Sequence, residues 1–184
     1  MSRVPTVYLL TCAAIGVAGG ILLVGGWLLS LGLFATVPFA SVAIAGLYVI
    51  PAVIALRLLR RPLAGLLVGL IAGLVLTPFY TVSAVATTLF WSFFPELPFL
   101  LTLYRRWATW MHYAGAAVIG VAYPLLAAQS FDLWSMTVPA LLAFLALCLV
   151  SCLAGTWLGI LIADRLQSAG VARLARRREA PAAG

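Results

Sequence analysis

The sequence predicts an all-α integral membrane protein, a bundle of six transmembrane helices. Three observations predict it. First, 65% of the 184 residues are hydrophobic and only 8% are charged, whereas a soluble domain carries about a quarter charged residues. Most of the surface must therefore face lipid, where backbone groups have to pair internally and only helices or closed barrels survive. Second, the apolar runs are continuous and about twenty residues long, the length of a helix crossing the hydrocarbon core. Barrel strands would instead alternate over about ten residues. Third, the arginines fall between the runs at intervals that six crossings, and not five or seven, place on one side.

The elements follow in order, with spans at about 7–33, 36–59, 62–76, 83–104, 108–128 and 136–162, all in one domain. The first run extends from Tyr8 to about Phe34. It exceeds a signal-peptide core of about 7–15 residues and reads as a retained span. Pro38 opens the second span, which ends at a connection bearing Arg57, Arg60 and Arg61. Pro62 suits the first turn of the third helix, where its missing N–H costs nothing. Thr77–Thr81 form a loop, and the fourth span closes at Tyr104, before Arg105 and Arg106. Residues 129–135 form a polar loop with aromatic residues, and 164–184 a basic tail. Arg3, the two arginine-bearing connections and the tail lie on one side. The remaining connections carry no arginine, and the last of them carries Asp132. The positive-inside rule places both ends in the cytoplasm.

Several function classes are excluded or disfavoured. All eleven basic residues are arginine, so a phosphate-binding G-x-x-x-x-G-K-[ST] loop is impossible. Active transport would need a partner or an ion gradient. Cys12, Cys148 and Cys152 lie inside apolar runs and read as small packing residues. No neighbouring His or acid supplies metal-ligand spacing. One His and four acids offer little for acid–base catalysis, and His112 reads as an interfacial residue. The chain reads as no enzyme. The basic tail suits anionic lipid and requires no nucleic acid.

Glu96 stands apart. It lies eight residues before the expected end of the fourth span, about 12 Å along the helix at 1.5 Å per residue, which is near mid-bilayer. An acid there is expensive and marks a function by default. Pro95 and Pro98 flank it, and each frees a carbonyl one turn back. No arginine lies mid-span to pair with it, so a ligand is the expected partner. Ser92 and Thr88 share its helix face. Aromatic residues gather towards the other side: Phe79, Tyr80, Trp91, Tyr123, Phe131 and Trp134. They fit an interfacial belt or a pocket that stacks a flat ring. In the first span Ala14 and Ala18, and Gly16 and Gly20, sit four apart. That spacing permits close helix approach, either inside the bundle or to a partner.

Four stretches together resemble a known family: Thr11-Cys-Ala-Ala-Ile-Gly-Val-Ala-Gly-Gly20, Ile50-Pro-Ala-Val-Ile-Ala-Leu-Arg-Leu-Leu-Arg-Arg-Pro62, Glu96-Leu-Pro-Phe-Leu-Leu-Thr-Leu-Tyr-Arg-Arg106 and Leu161-Ile-Ala-Asp-Arg-Leu-Gln-Ser-Ala-Gly-Val171. The chain resembles the YkoE-type S component of energy-coupling factor (ECF) transporters, a branch of the ABC transporters. The resemblance implies vitamin uptake across a prokaryotic plasma membrane, with thiamin or its hydroxymethylpyrimidine precursor as ligand and no cofactor. It implies a membrane T component and cytosolic ATPases as partners, with Ala14 and Ala18 at the positions that dock the T component. The ligand set expected from the buried acid, its helix face and the aromatic cluster, independently of the resemblance, is Glu96, Ser92, Thr88, Trp91, Tyr80, Tyr123 and Trp134. The alternatives are an S component for another flat vitamin and a membrane scaffold or assembly protein that transports nothing.

Overall fold

The computed structural model describes residues 6–36 and 38–170. Arg3, Glu179 and the arginines of the tail beyond residue 170 lie outside the described residues. Six helices run α1 (Thr6–Thr36), α2 (Ile50–Leu59), α3 (Ala64–Leu76), α4 (Ser83–Leu101), α5 (Thr109–Leu126) and α6 (Val138–Ser168). A 3₁₀ stretch, Pro38–Tyr48, leads into α2, and a 3₁₀ turn, Leu133–Ser135, precedes α6. No strand occurs among the described residues. Four segments are long and apolar enough to cross a membrane: Thr6–Phe34, Ala40–Leu59, Ser83–Leu101 and Val138–Ser168. The shorter α3 and α5 complete the bundle. Around it the order is α1, α3, α4, α5, α6, then the 3₁₀ stretch with α2, which closes back on α1.

Lipid gives helices no hydrophobic reason to associate, so close contact between small residues has to hold them. Three small-residue stripes do this. On α1, Gly16 and Gly20 press on Ile71 and Val75 of α3, where an added Cβ would lie 2.6 Å from each side chain's Cβ. On α3, Gly65, Gly69 and Gly73 receive Glu96, Ser92 and Thr88 of α4. On α6, Gly155 meets the backbone of Gly46, and Gly159 packs on Val53 with 3.1 Å to its Cβ. The Gly46–Gly155 crossing leaves no space for a side chain, because backbone lies on both sides. Gly155→Val should therefore lower the melting temperature in detergent by several degrees, since overpacking costs typically 1–3 kcal/mol or more. An unchanged melting temperature would show that the crossing is looser than described.

Besides α3 starting at Ala64, with Pro62 in the turn before it, and α6 running on to Ser168 past the expected end at 162, two elements differ from the sequence expectation. The first half of the second span, Pro38–Tyr48, is 3₁₀ rather than α. The Ser151 hydroxyl of α6 reaches between Ala43 and Gly46, donating to the Ala43 carbonyl at 2.5 Å and accepting the Gly46 N–H at 2.9 Å. An inserted side chain of this kind opens the helical ladder, and Pro51 removes one further donor at the start of α2. The second difference is at α4, which ends at Leu101 rather than Tyr104. Leu103 and Tyr104 turn the chain in the left-handed region, with φ of 50° and 57°. The Tyr104 N–H reaches back to the Phe99 carbonyl at 2.8 Å.

The arginine-bearing end is cross-tied. Arg57 on α2 pairs with Asp164 on α6 at 2.9 Å and donates to the Thr109 hydroxyl at the start of α5 at 3.0 Å. Gln167 on α6 donates to the Arg57 carbonyl at 3.0 Å. The half-buried pair is worth on the order of 1 kcal/mol; its effect is to fix three helix ends relative to one another.

Candidate ligand cavity

A cavity of about 720 Å³ opens within the half of the bundle furthest from the described arginines. Its walls come from five places. The second half of α1 supplies Trp27, Ser30 and Phe34, and the 3₁₀ stretch supplies Ser41 and Tyr48. The α3–α4 loop brings Tyr80, and α4 contributes Thr87, Phe90 and Trp91. Tyr123 of α5 and, beyond it, Ser130 and Phe131 complete the lining. Trp91 is the centre of the aromatic wall: its ring lies 5.4 Å from that of Tyr48 and 4.7 Å from that of Tyr123. Tyr80 meets Trp27 edge-on at 4.4 Å. The described lining carries hydroxyls and indole N–H groups but no charged side chain and no His or Cys. Volume and lining suit a small molecule with flat faces and a few hydrogen-bonding groups.

Of the residues expected from sequence, Trp91, Tyr80 and Tyr123 line this cavity. Trp134 does not; it is 81% exposed, in the 3₁₀ turn Leu133–Ser135 within the polar loop. Phe131 lines the cavity, whereas Phe79 is exposed. Thr88, Ser92 and Glu96 do share one face of α4, as their spacing dictates, but that face lies on the glycine stripe of α3 and not on the cavity.

Glu96 also has partners within the protein, contrary to the expectation of an acid needing a ligand. One carboxylate oxygen accepts the Leu66 N–H at 2.8 Å and the other accepts the Tyr104 hydroxyl at 2.8 Å. The first turn of a helix presents N–H groups without intrahelical acceptors and a partial positive charge. The first turn of α3 thus supplies what a basic side chain would have supplied. Leu66 lies only five residues after Arg61, so the Glu96 carboxylate sits in the arginine-bearing half of the bundle. The Thr88 hydroxyl returns to the Ala84 carbonyl of its own helix at 3.0 Å.

Sequence reasoning missed Trp27, Ser30, Ser41, Tyr48, Thr87, Phe90 and Ser130 as cavity residues. A signal existed for two of them: Ser41 and Tyr48 are the polar side chains of the otherwise apolar stretch 37–56. It also passed over Gly65-x-x-x-Gly69-x-x-x-Gly73, which marks α3 as the surface that α4 packs on.

No group of three or more metal-ligating side chains gathers among the described residues. Cys148 and Cys152 are buried in the core around Phe144, and Cys12 in that around Phe99. His112 is buried as well, its ring 4.8 Å from Phe99, and is not the interfacial side chain expected. On α1 the two small pairs separate. Cys12, Gly16 and Gly20 are buried, whereas Ala14 and Ala18 are exposed on the outer face with Leu10, Val17 and Ile21.

The chain is thus an all-helical bundle with an aromatic cavity at one end, and no charged side chain appears in the cavity's described lining. Correspondingly, the chain superposes on a crystal structure of an S-component of an ECF transporter with a TM-score of 0.81, at 20% identity and over 96% of both chains. It has that fold. No curated protein sequence matches the chain. The family model described as "ABC-type cobalt transport system, permease component" matches residues 7–122, more than half of the chain, and the chain belongs to that family.

Proposed function

We propose that this chain is the substrate-binding S subunit of an ECF-type vitamin importer in a prokaryotic plasma membrane, and that it binds thiamin or its hydroxymethylpyrimidine precursor. The observation that carries this reading is the cavity: three ring walls around Trp91, hydroxyls between them, and no charged side chain in the described lining. A pyrimidine stacks on such walls and finds hydrogen-bond partners at its edge. The thiazolium of thiamin finds ring faces for cation–π contact. The family's description names cobalt transport, yet a bare divalent ion of that kind prefers imidazole, thiolate or carboxylate donors, and the described lining of this cavity has none. A lysine-free chain binds and hydrolyses no nucleotide through a P-loop. The ATPases and the T component are therefore its partners, and the exposed Ala14–Ala18 face of α1 is where the T component docks.

A second reading, another flat vitamin, is favoured by one observation. With Glu96 turned towards α3, no carboxylate waits for a positive ring, so a neutral heterocycle fits the same walls. Calorimetric titration of the purified chain with thiamin and with hydroxymethylpyrimidine separates the two. Saturable binding of either supports the vitamin named; no heat from either up to about 1 mM, an affinity of about −4 kcal/mol, would overturn it.

Orientation follows from the charges: the arginine end faces the cytoplasm. Cysteines introduced at Asp132 or Tyr80 should react with an impermeant maleimide in intact cells, and one at Arg60 should not. Labelling at Arg60 alone would invert the bundle.

A further inference from the structure

Eleven residues of 3₁₀ winding, Pro38–Tyr48, precede α2. Runs longer than about three or four residues are uncommon, because hydrogen-bond geometry in this winding is poor. The segment does not ask for it. Ala40, Ala43, Ala45 and Leu47 favour the α form, so the tighter winding has a cause outside the segment. Ser151 of α6 supplies it. Its hydroxyl donates to the Ala43 carbonyl at 2.5 Å and accepts the Gly46 N–H at 2.9 Å. The two backbone groups it joins are three residues apart, the spacing of a 3₁₀ bond. In an α-helix the Ala43 carbonyl would take the Leu47 N–H, and the Gly46 N–H would go to the Val42 carbonyl. Glycines bring the hydroxyl into place: a Cβ added at Gly46 would collide with the Ser151 carbonyl, and one at Gly155 with the Gly46 carbonyl.

The winding decides what faces the ligand. With three residues per turn, side chains three apart eclipse one another. Val42, Ala45 and Tyr48 therefore fall in one row and Ser41 and Ile44 in the next, and all five line the cavity. The third row, with Ala43 and Gly46, lies against Ser151. At 3.6 residues per turn, Tyr48 would stand about a third of a turn round the axis from Val42. The segment would also shorten by about 5 Å, because the rise differs by about 0.5 Å per residue. Either change takes the Tyr48 ring from its place 5.4 Å from that of Trp91.

We propose that Ser151, which does not itself line the cavity, is a positioning residue for ligand binding. By bridging Ala43 and Gly46 it holds the 3₁₀ winding that sets Tyr48 on the wall beside Trp91. This deepens the vitamin-binding reading and rests on it. The bond that Ser151 makes is chosen over a simpler one. A serine within a helix ordinarily returns its hydroxyl to a carbonyl of its own preceding turn, here that of Leu147. The Ser151 hydroxyl instead takes the two groups whose spacing fixes the winding of the neighbouring segment. Stability gains little from that choice, because rewinding to α would give both backbone groups partners again. What the bond supplies is the orientation of Tyr48.

The test has two arms, and the first needs no ligand. 3-Fluorotyrosine is placed at position 48, and its fluorine resonance is read in the ligand-free chain in detergent. Ser151→Ala should move the resonance. Ser151→Thr, which keeps the hydroxyl, should restore it, and Ser151→Cys, which keeps a weaker donor, stands in if the added methyl prevents folding. An unmoved resonance in Ser151→Ala overturns the positioning role. The second arm is calorimetric titration with hydroxymethylpyrimidine and with thiamin, together with the melting temperature. Ser151→Ala should weaken binding about tenfold, the loss expected when one stacking face turns away, and leave the melting temperature unchanged. In a Tyr48→Ala background the same substitution should cost no further affinity, because the group it positions is gone. A lowered melting temperature at unchanged affinity makes Ser151 a structural tie only and overturns the proposal. So does an equal loss of affinity with and without the Tyr48 ring. Wild-type chain that binds neither compound overturns the vitamin reading, and the fluorine arm then still decides whether Ser151 sets the winding.

Discussion

Trp91→Ala should weaken ligand binding by about ten- to a hundredfold, which is the largest effect expected of any change in the cavity. Trp91 is 3% exposed, sits on α4 and touches Tyr48 on one side and Tyr123 on the other. Stacking of a heterocycle on one aromatic ring is worth about 1–3 kcal/mol, and each 1.4 kcal/mol is tenfold in affinity. The indole also spaces the Tyr48 and Tyr123 rings, so its removal lets two walls relax together. Truncation of a buried aromatic carries a stability cost of about 3–5 kcal/mol, and two controls keep binding and folding apart. Trp91→Phe retains a stacking face and should bind within about fivefold of wild type, the loss expected for about 1 kcal/mol. Trp134→Ala removes an exposed indole outside the cavity and should leave affinity unchanged. Calorimetry with thiamin or hydroxymethylpyrimidine reads all three. Equal affinity in Trp91→Ala and wild type would remove the cavity from ligand binding.

The helix count and type were legible because composition and run length depend only on the bilayer. Boundaries failed where a tertiary contact decided them. Nothing local announces that Ser151, more than a hundred residues downstream, will open the ladder between Ala43 and Gly46. Nothing local announces that Leu103 and Tyr104 will accept left-handed backbone either. The site was half legible for a related reason. Aromatic residues near one end are a property of sequence, so Trp91, Tyr80 and Tyr123 emerged. Which way a face points is a property of packing. The Thr88–Ser92–Glu96 row was recognised as one face, but its destination depended on the glycines of α3. The partner of Glu96 was invisible for a sharper reason: it is a helix terminus, a group that every helix has and no residue type encodes. No side-chain counter-charge exists in the spans near Glu96, which is why a ligand was expected; the Leu66 N–H and the Tyr104 hydroxyl take that role instead.

Replacing Ala14 and Ala18 together by Trp should abolish uptake and leave ligand binding intact. The two small-residue pairs of α1 point different ways. Gly16 and Gly20 meet Ile71 and Val75 inside the bundle, with no room for a Cβ. Ala14 and Ala18 face outward among Leu10, Val17 and Ile21. Small residues in a bulky apolar surface make a groove in which a second helix can approach closely, and in lipid that approach is what holds helices together. Two indoles fill the groove. They clash with nothing in the chain itself, so the melting temperature and the calorimetric affinity should stay at wild-type values. Uptake by vesicles holding the chain, the T component and the ATPases with ATP should fall more than tenfold. Gly16→Trp is the contrasting control: its indole would drive into Ile71, and it should lose fold and binding together. Wild-type uptake by the double-Trp chain would show that the outer face of α1 meets only lipid. Loss of binding along with uptake would place Ala14 and Ala18 inside the packed bundle.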